Sequence, residues 1–277
     1  MKKLLLIFGI LLAVSACDRA TYKCDPIVKN MGKTETIESV LEFQSEPKLV
    51  SWRESLYKRY PSLDREKGLH GDWKERKAYL EPELEKIYTQ NQDEMNRKVT
   101  EFNKYWCEKK PAVKAAFTKA FGIDSSIVLD KITADVSLNP VCPRFLESNN
   151  FTVFYQSSPE RFLEILMHES IHFMWFHIWH EHFNDDYTEY ERPNLKWVLS
   201  EMVVDTFVRN TEIGTLFTDK GRRNAVYDYF YDMKVDGAPI LDTLSEIFKK
   251  SGTIQEFMES SYSYFKLHEQ EIIRQVQ

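Results

Sequence analysis

The chain has 277 residues, of which 43% are hydrophobic, 14% aromatic and 29% charged, so it can bury a large core in one domain. Its formal net charge of -6 gives no electrostatic reason to expect a nucleic-acid partner. Only nine glycines accompany many Leu, Glu, Lys and Tyr residues, which favours helices over a glycine-punctuated all-β fold.

The N-terminus has the features of an export signal. Two lysines precede an apolar run (residues 4–14) that is too short to span a membrane. The run ends in Val-Ser-Ala-Cys, which resembles the lipobox of bacterial lipoproteins. The resemblance implies removal of residues 1–16, lipidation of Cys17 and attachment on the periplasmic side of the cell envelope. In enterobacterial lipoproteins Asp18 would favour the inner membrane; an ordinary cleaved signal peptide is the alternative.

Three further cysteines, Cys24, Cys107 and Cys142, follow the predicted lipidation site. An exported protein meets an oxidising compartment, where these thiols allow one disulfide and leave one cysteine over. Cys24 falls in a polar segment (17–35) that we predict to be a tether between lipid and domain. We therefore expect Cys107 to pair with Cys142, although sequence alone does not fix a pairing.

Residues 36–277 are predicted to form a single domain with a helical N-terminal part (36–110) and a core part (111–277). Near the end of the first part, apolar residues recur at spacings of three, four and seven, which indicates one buried helix face. These residues are Leu84, Tyr88, Met95, Val99, Phe102 and Trp106. Residues 111–121 are predicted to form a separate short helix, because proline begins the segment and Gly122 follows it.

Two β-prone segments come next. Residues 126–137 alternate apolar and polar side chains, and residues 151–155 form a compact run rich in aromatic and β-branched residues. They predict a small sheet of two or three antiparallel strands. An exposed edge of such a sheet could pair with an extended peptide, although a purely structural sheet explains the pattern equally well.

A long apolar helix is predicted to begin after a capping serine at position 157 or 158. It contains the pattern HExxH, with His168, Glu169 and His172. The two histidines lie one helical turn apart on one face, so both imidazoles can reach one metal ion while Glu169 stands beside them. His177, His180 and His182 follow and are interpreted as ordinary histidines, not as a second metal site.

A second apolar helix is predicted from residue 194 to residue 210, with Glu201 and Asp205 four residues apart on one face. Buried carboxylates need a cation to offset desolvation, and a metal bound by the two histidines of HExxH would provide it. Glu201 would complete the three protein ligands of a catalytic zinc ion. Glu169 would act as general base, and Asp205 would accept the remaining ring N–H of His168.

This combination, HExxH followed by a second helix with ExxxD, resembles the gluzincin branch of zinc metallopeptidases. The resemblance covers about residues 151–210. It implies a mainly α (α+β), zincin-like catalytic domain that binds Zn²⁺ and hydrolyses peptide or protein substrates. The aminopeptidase signature GxMEN is absent, and Ile178 stands where the longer metzincin motif needs a different residue.

The resemblance also implies a tyrosine or histidine that donates a hydrogen bond to the oxyanion. Its usual distance after the glutamate ligand favours Tyr264 or His268. The other candidates are Tyr187, Tyr190, Tyr227, Tyr229, Tyr231 and Tyr262.

Two other functional classes compete with the peptidase. One is a non-catalytic envelope lipoprotein in which a structural or vestigial zinc site supports a binding module; the intact Glu169 argues against it. The other is a di-iron carboxylate protein, because residues 169–172 also spell ExxH. Such a site needs a second ExxH, which the sequence lacks.

Overall fold

The computed structural model describes residues 24–25, 27–45, 50–185 and 189–276. These residues form a mainly helical fold with one small four-stranded sheet, which confirms the predicted helical class. The predicted signal segment, Cys17, Asp18 and Tyr187 lie outside the described residues. Within the described ranges, none of the helices combines the length and the apolar character needed to cross a membrane.

The helices are α1 (Lys33–Gln44), α2 (Val50–Arg59), α3 (Arg65–Leu69), α4 (Trp73–Phe121), α5 (Ser126–Leu129), α6 (Pro159–Phe183), α7 (Leu195–Asn210), α8 (Asp219–Arg223), α9 (Ile240–Lys250), α10 (Ile254–Leu267) and α11 (Glu269–Val276). The strands are β1 (Val28–Asn30), β2 (Thr133–Ser137), β3 (Arg144–Phe145), β4 (Asn150–Phe154), β5 (Lys234–Val235) and β6 (Ala238–Pro239). Short 3₁₀ turns occupy Leu146–Ser148, Glu212–Leu216 and Asp228–Tyr231.

The main sheet has the order β1-β2-β4-β3, and its first three strands are parallel. Only β3, at the edge, runs antiparallel to its neighbour. The prediction of an antiparallel sheet was therefore wrong. All five residues of β4 are buried, as is usual for a parallel strand covered on both faces. The strand predicted from residue 126 begins only at Thr133, because α5 precedes it.

The predicted tether (17–35) is also corrected, since nearly half of it, residues 27–35, belongs to the domain. Val28 to Asn30 pair with Ala134 to Val136 of β2. The side chain of Asn103 on α4 accepts from the backbone N–H groups of Ile27 and Val28 at 3.0 Å and donates to the Val28 carbonyl at 2.8 Å. β1 is thus fixed to the sheet and to α4 by hydrogen bonds that its polar composition did not predict.

Helix α4 runs for 49 residues and contains both Pro82 and Pro111. The prediction of a separate helix over 111–121 was therefore wrong. A proline inside a helix costs about 3 kcal/mol. The buried face of α4 continues past Pro111, because Trp106, Val113 and Phe117 are fully buried on the same side of the helix. The free energy gained by burying these apolar side chains is large enough to offset the cost of the proline.

Helix α4 supports the two helices that carry the predicted ligands. Phe102 of α4 stacks on Phe162 of α6 at 4.6 Å between ring centroids, and Phe121 stacks on Phe207 of α7 at 4.3 Å. The predicted cap of α6 is Ser158, whose side chain accepts from the Arg161 N–H. The long helix therefore holds α6 and α7 in a fixed relation to each other.

The disulfide joins Cys24 to Cys107, and Cys142 is a free thiol. The expected pairing of Cys107 with Cys142 was wrong because β1, fixed against α4, brings the preceding Cys24 next to Cys107. The bond closes a sequence separation of 83 residues. A cross-link over such a loop stabilises a fold by about 3 to 4 kcal/mol, mainly by restricting the unfolded chain.

We expect Cys24→Ser to lower the free energy of unfolding by about 3 to 4 kcal/mol, measured by denaturant titration under oxidising conditions. Cys142→Ser is the matched control and should change it by less than about 1 kcal/mol. An equal loss in Cys142→Ser, or a peptide map that shows a bond to Cys142, would contradict this pairing.

Candidate functional site

Helices α6 and α7 bring the three predicted metal ligands together. The Nε2 atoms of His168 and His172 lie 3.1 Å apart. Glu201 Oε1 is 3.6 Å from His172 Nε2, and Glu201 Oε2 is 3.8 Å from His168 Nε2. Ligand atoms around a tetrahedral zinc ion lie about 3.3 Å from one another. The spacing of the three side chains is therefore close to that of a zinc ligand set.

Glu169 belongs to the same cluster. Ligand atoms of His168, Glu169 and His172 all lie within 4.8 Å of one another. Two carboxylates, Glu169 and Glu201, are therefore candidates for the third ligand of a metal. Glu201 approaches both imidazole Nε2 atoms within 3.8 Å, and it arrives from a different helix. The geometry therefore favours Glu201 over Glu169 as a third ligand for a metal, and it leaves the Glu169 carboxylate beside the cluster.

The backbone selects the tautomer of His168. Its Nδ1 atom lies 3.1 Å from the carbonyl oxygen of Ala225, in the segment between α8 and the following turn. A carbonyl oxygen only accepts, so Nδ1 carries the proton and the lone pair resides on Nε2, the atom that faces His172 and Glu201. This is the tautomer that a metal ligand requires.

Asp205 does not take the role predicted for it. The N–H of His168 goes to Ala225, while Asp205 Oδ2 lies 2.6 Å from Arg209 Nε. Arg209 also pairs with Asp242 of α9 at 2.7 Å. The predicted bond between His168 and Asp205 was therefore wrong, and Asp205 instead pairs with Arg209, which joins α7 to α9.

Burial controls the protonation of the cluster. It lowers the pKa of His168 to about 3, assisted by the charges of Arg144 and Arg161, and it lowers the pKa of His172 well below its ordinary value. Both imidazoles are thus neutral at pH 7, as metal ligation requires. Burial also raises the pKa of Glu169 to about 8 and that of Glu201 above its usual range. A divalent cation between these groups would lower both carboxyl pKa values.

Arg144 is a site residue that the sequence did not reveal. It lies on the edge strand β3, with a side chain that is 14% exposed. Its Nη1 atom donates to Glu201 Oε1 at 2.9 Å and lies 3.8 Å from Glu169 Oε2. The guanidinium therefore fixes one oxygen of Glu201 and leaves Oε2, the oxygen nearer His168, for a metal. An arginine on a strand of only two residues has no periodic pattern around it that could have identified it.

The cluster lies on the wall of a cavity of about 360 Å³. His168, Glu169, Glu201 and Arg144 all line it. Much of the remaining wall is apolar or aromatic and is formed by Phe43, Trp52, Pro140, Val141, Pro143, Ile165, Trp197, Phe217, Ala225, Val226 and Tyr227. The volume is that of a small-ligand or short-peptide site.

The preferred oxyanion donors do not reach this cavity. Neither Tyr264 nor His268 belongs to the described residues that line it, and His268 Nδ1 instead faces Asp236 Oδ2 at 3.8 Å. Tyr227, one of the alternatives, does line it. Burial and the charge of Glu201 raise the pKa of Tyr227, so its hydroxyl keeps the proton that a donor needs. The structure therefore does not bring Tyr264 or His268 to this cavity, and among the other predicted candidates Tyr227 lies in its described lining.

The remaining histidines of α6 lie apart from the cluster. His180 Nδ1 bonds the Asp185 carbonyl, and His182 Nε2 lies 2.7 Å from Glu259 Oε1. His177 lines a separate pocket of about 190 Å³. In the described ranges, a second group with ligand atoms within 4.8 Å of one another, formed by residues 236, 268 and 271, is partly exposed.

The chain matches no protein-family model, no curated protein and no solved structure. The interpretation of the site therefore rests on its residues and their geometry.

Proposed function

We propose that the protein is a zinc-dependent metallopeptidase of the gluzincin type that hydrolyses peptide bonds. The observation that carries this proposal is Glu201, which α7 places 3.6 and 3.8 Å from the Nε2 atoms of His172 and His168. If HExxH occurred here by chance, a carboxylate from another helix would not be expected to approach both imidazoles at this spacing. In gluzincins the glutamate of ExxxD is the third metal ligand, which accounts for the position of Glu201.

The donor set fits a catalytic zinc ion better than a structural one. Structural sites are closed by four protein ligands, usually with cysteines, whereas catalytic sites keep one position open. Here two neutral imidazoles and one carboxylate lie within 3.8 Å of one another, and His168 and Glu201 of this set line a cavity. Burial raises the pKa of the free Cys142 thiol to about 11, so this cysteine is not a thiolate ligand at neutral pH. When bound, zinc lowers the pKa of a water molecule and polarises the substrate carbonyl.

The chain's own groups would move the protons. Glu169, 7% exposed and directly beside His168, accepts a proton from the attacking water and returns it to the leaving amine nitrogen. Arg144, 3.8 Å from Glu169 and 2.9 Å from Glu201, keeps both carboxylates oriented. The Tyr227 hydroxyl would donate a hydrogen bond to the carbonyl oxygen as negative charge develops there.

The edge strand offers a place for the peptide. β3 is the last strand of the sheet, and Arg144 on it contacts the candidate ligand while the next residue, Phe145, is 40% exposed. An extended substrate that pairs with β3 would pass the cluster with its backbone aligned. This supports a peptide or protein substrate over a compact small molecule.

We also propose that the enzyme is held in the bacterial envelope by a lipid on Cys17, with Asp18 favouring the inner membrane. The disulfide between Cys24 and Cys107 supports an oxidising compartment such as the periplasm. The first strand of the catalytic domain would then begin eleven residues after the lipidated cysteine, because β1 starts at Val28.

Hydrolysis of a peptide library by the purified protein tests the function. We expect cleavage that a zinc chelator stops and that added zinc restores. A protein that binds zinc but cleaves no peptide would instead favour the non-catalytic binding module. Cleavage that survives complete removal of metal would contradict the mechanism.

A further inference from the structure

The cavity wall formed by α6 extends beyond the metal cluster. Arg161, Glu164, Ile165, His168 and Glu169 line it at the spacing of one helix face. Arg161 lies seven residues before His168, which on a helix is about 10 Å along the axis. The wall therefore presents a cation at a defined distance from the proposed reaction centre.

Glu164 is a buried carboxylate that the proposed hydrolysis does not use. It is 5% exposed, and its Oε1 atom accepts from the backbone N–H of Thr218 at 3.2 Å and from the Thr218 hydroxyl. A Cβ atom on Gly221 would lie 2.1 Å from the same oxygen, so the packing requires glycine there. Helix α8 and the turn before it thus hold this carboxylate in place.

The fixed carboxylate positions Arg161. Glu164 Oε2 accepts from Arg161 Nη1 at 3.3 Å, and the arginine side chain remains 55% exposed. Among the described residues, Glu164 is the only carboxylate within 4.0 Å of this guanidinium. A guanidinium has five N–H donors, so most of them remain available to a ligand. Arg144, by contrast, already contacts two carboxylates of the cluster.

The charge of the cavity favours an anionic ligand once the metal is bound. Its lining contains three arginines and four glutamates, which formally sum to -1. The glutamates are Glu164, Glu169, Glu191 and Glu201, and the arginines are Arg144, Arg161 and Arg192. A divalent cation makes the same lining formally +1 and so attracts a negative substrate group.

We propose that Arg161 forms an anion-binding subsite for a carboxylate of the peptide substrate, about three residues from the bond that is cut. An extended peptide spans about 10 Å in three residues, which matches the distance along α6. Arginine binds a carboxylate through two parallel N–H donors, whether it is a C-terminus or an Asp or Glu side chain. This inference rests on the proposed function and names its substrate class.

Peptide hydroxamates test the subsite, because the hydroxamate anchors the probe on zinc without any cleavage. The probes carry three residues after the hydroxamate and end in either a free carboxylate or an amide. Binding to the zinc-loaded full chain is measured by calorimetry. We expect the acid to bind at least about tenfold more tightly than the amide.

Substitutions assign that preference to Arg161. Arg161→Met should abolish the difference between acid and amide and leave amide binding unchanged, and Arg161→Lys should retain part of it. Arg97→Met is the matched control, because Arg97 forms the same kind of i,i+3 pair with Glu94 on α4, outside the described cavity lining. Equal binding of acid and amide, or a preference that persists in Arg161→Met, would overturn the inference.

Two results separate the inference from the function on which it rests. If neither hydroxamate binds the wild-type chain, the zinc site is wrong and the subsite falls with it. If both bind equally, the zinc site stands and the subsite is wrong. Amide-ended probes with Glu or Gln at the second or third residue identify the source of the carboxylate: a gain for Glu indicates an acidic side chain, and a gain only for the free acid indicates a C-terminus.

Discussion

Replacing Glu169 by glutamine is expected to lower kcat at least about a thousandfold while the protein keeps its zinc. The amide is nearly the size of the carboxylate but cannot take a proton from water at neutral pH. The ligand atoms of His168, His172 and Glu201 are left in place, so metal affinity should change little. Peptide hydrolysis and zinc content are measured on the same preparation.

The control for this substitution lies on the same helix. Glu181→Gln removes an exposed carboxylate of α6 far from the cavity lining and should leave kcat unchanged. Full activity in Glu169→Gln would contradict the role of base. Loss of zinc from Glu169→Gln would mean that Glu169, which also lies within 4.8 Å of both histidine ligand atoms, is the ligand.

Replacing Glu201 by alanine is expected to weaken zinc binding more than about a hundredfold. Loss of a residue that only orients a metal ligand already weakens binding by up to about a hundredfold, and Glu201 is proposed to be a ligand itself. The substitution removes one of three ligands and also leaves Arg144, bound to Glu201 at 2.9 Å, without its nearest carboxylate. The dissociation constant is measured by competition with a chromogenic chelator.

Two matched variants decide whether the effect is specific. Asp205→Ala removes the other carboxylate of the ExxxD pattern, which pairs with Arg209, and should lower stability but not zinc affinity. His177→Ala removes a histidine of α6 outside the cluster and should change neither. A larger loss of zinc affinity in Asp205→Ala than in Glu201→Ala would show that the third ligand was assigned wrongly.

Local patterns in the sequence were sufficient to locate the two helices of the site. The capping Ser158, the apolar run after it and the one-turn spacing of His168 and His172 are all short-range properties. The same reasoning failed for Asp205. Residues four apart on a helix differ by about 40° around the axis and 6 Å along it. Glu201 therefore faces the histidines while Asp205 faces Arg209.

The groups that complete the site come from segments without periodicity. Arg144 lies on a two-residue edge strand, Ala225 contributes a backbone carbonyl, and Tyr227 follows in the same irregular segment. No residue type or spacing in the sequence marks a carbonyl that will accept from a histidine. Such contacts depend on how distant parts of the chain pack, so only the structure could place them.

Long-range packing also explains the errors in the fold. β1 was assigned to a tether because its composition is polar, yet Asn103 from α4 satisfies its backbone groups. Pro111 was taken as a helix start, yet buried residues on both sides of it keep α4 continuous. In each case a tertiary contact outweighed a local preference.

Zinc content, measured by elemental analysis of the purified wild-type chain, tests the central claim most directly. The account predicts about one zinc ion per chain, and less than about a tenth of that in His172→Ala, which lacks a fully buried ligand. A wild-type chain that holds no zinc after incubation with excess zinc would contradict it, as would a His172→Ala variant that retains the full amount.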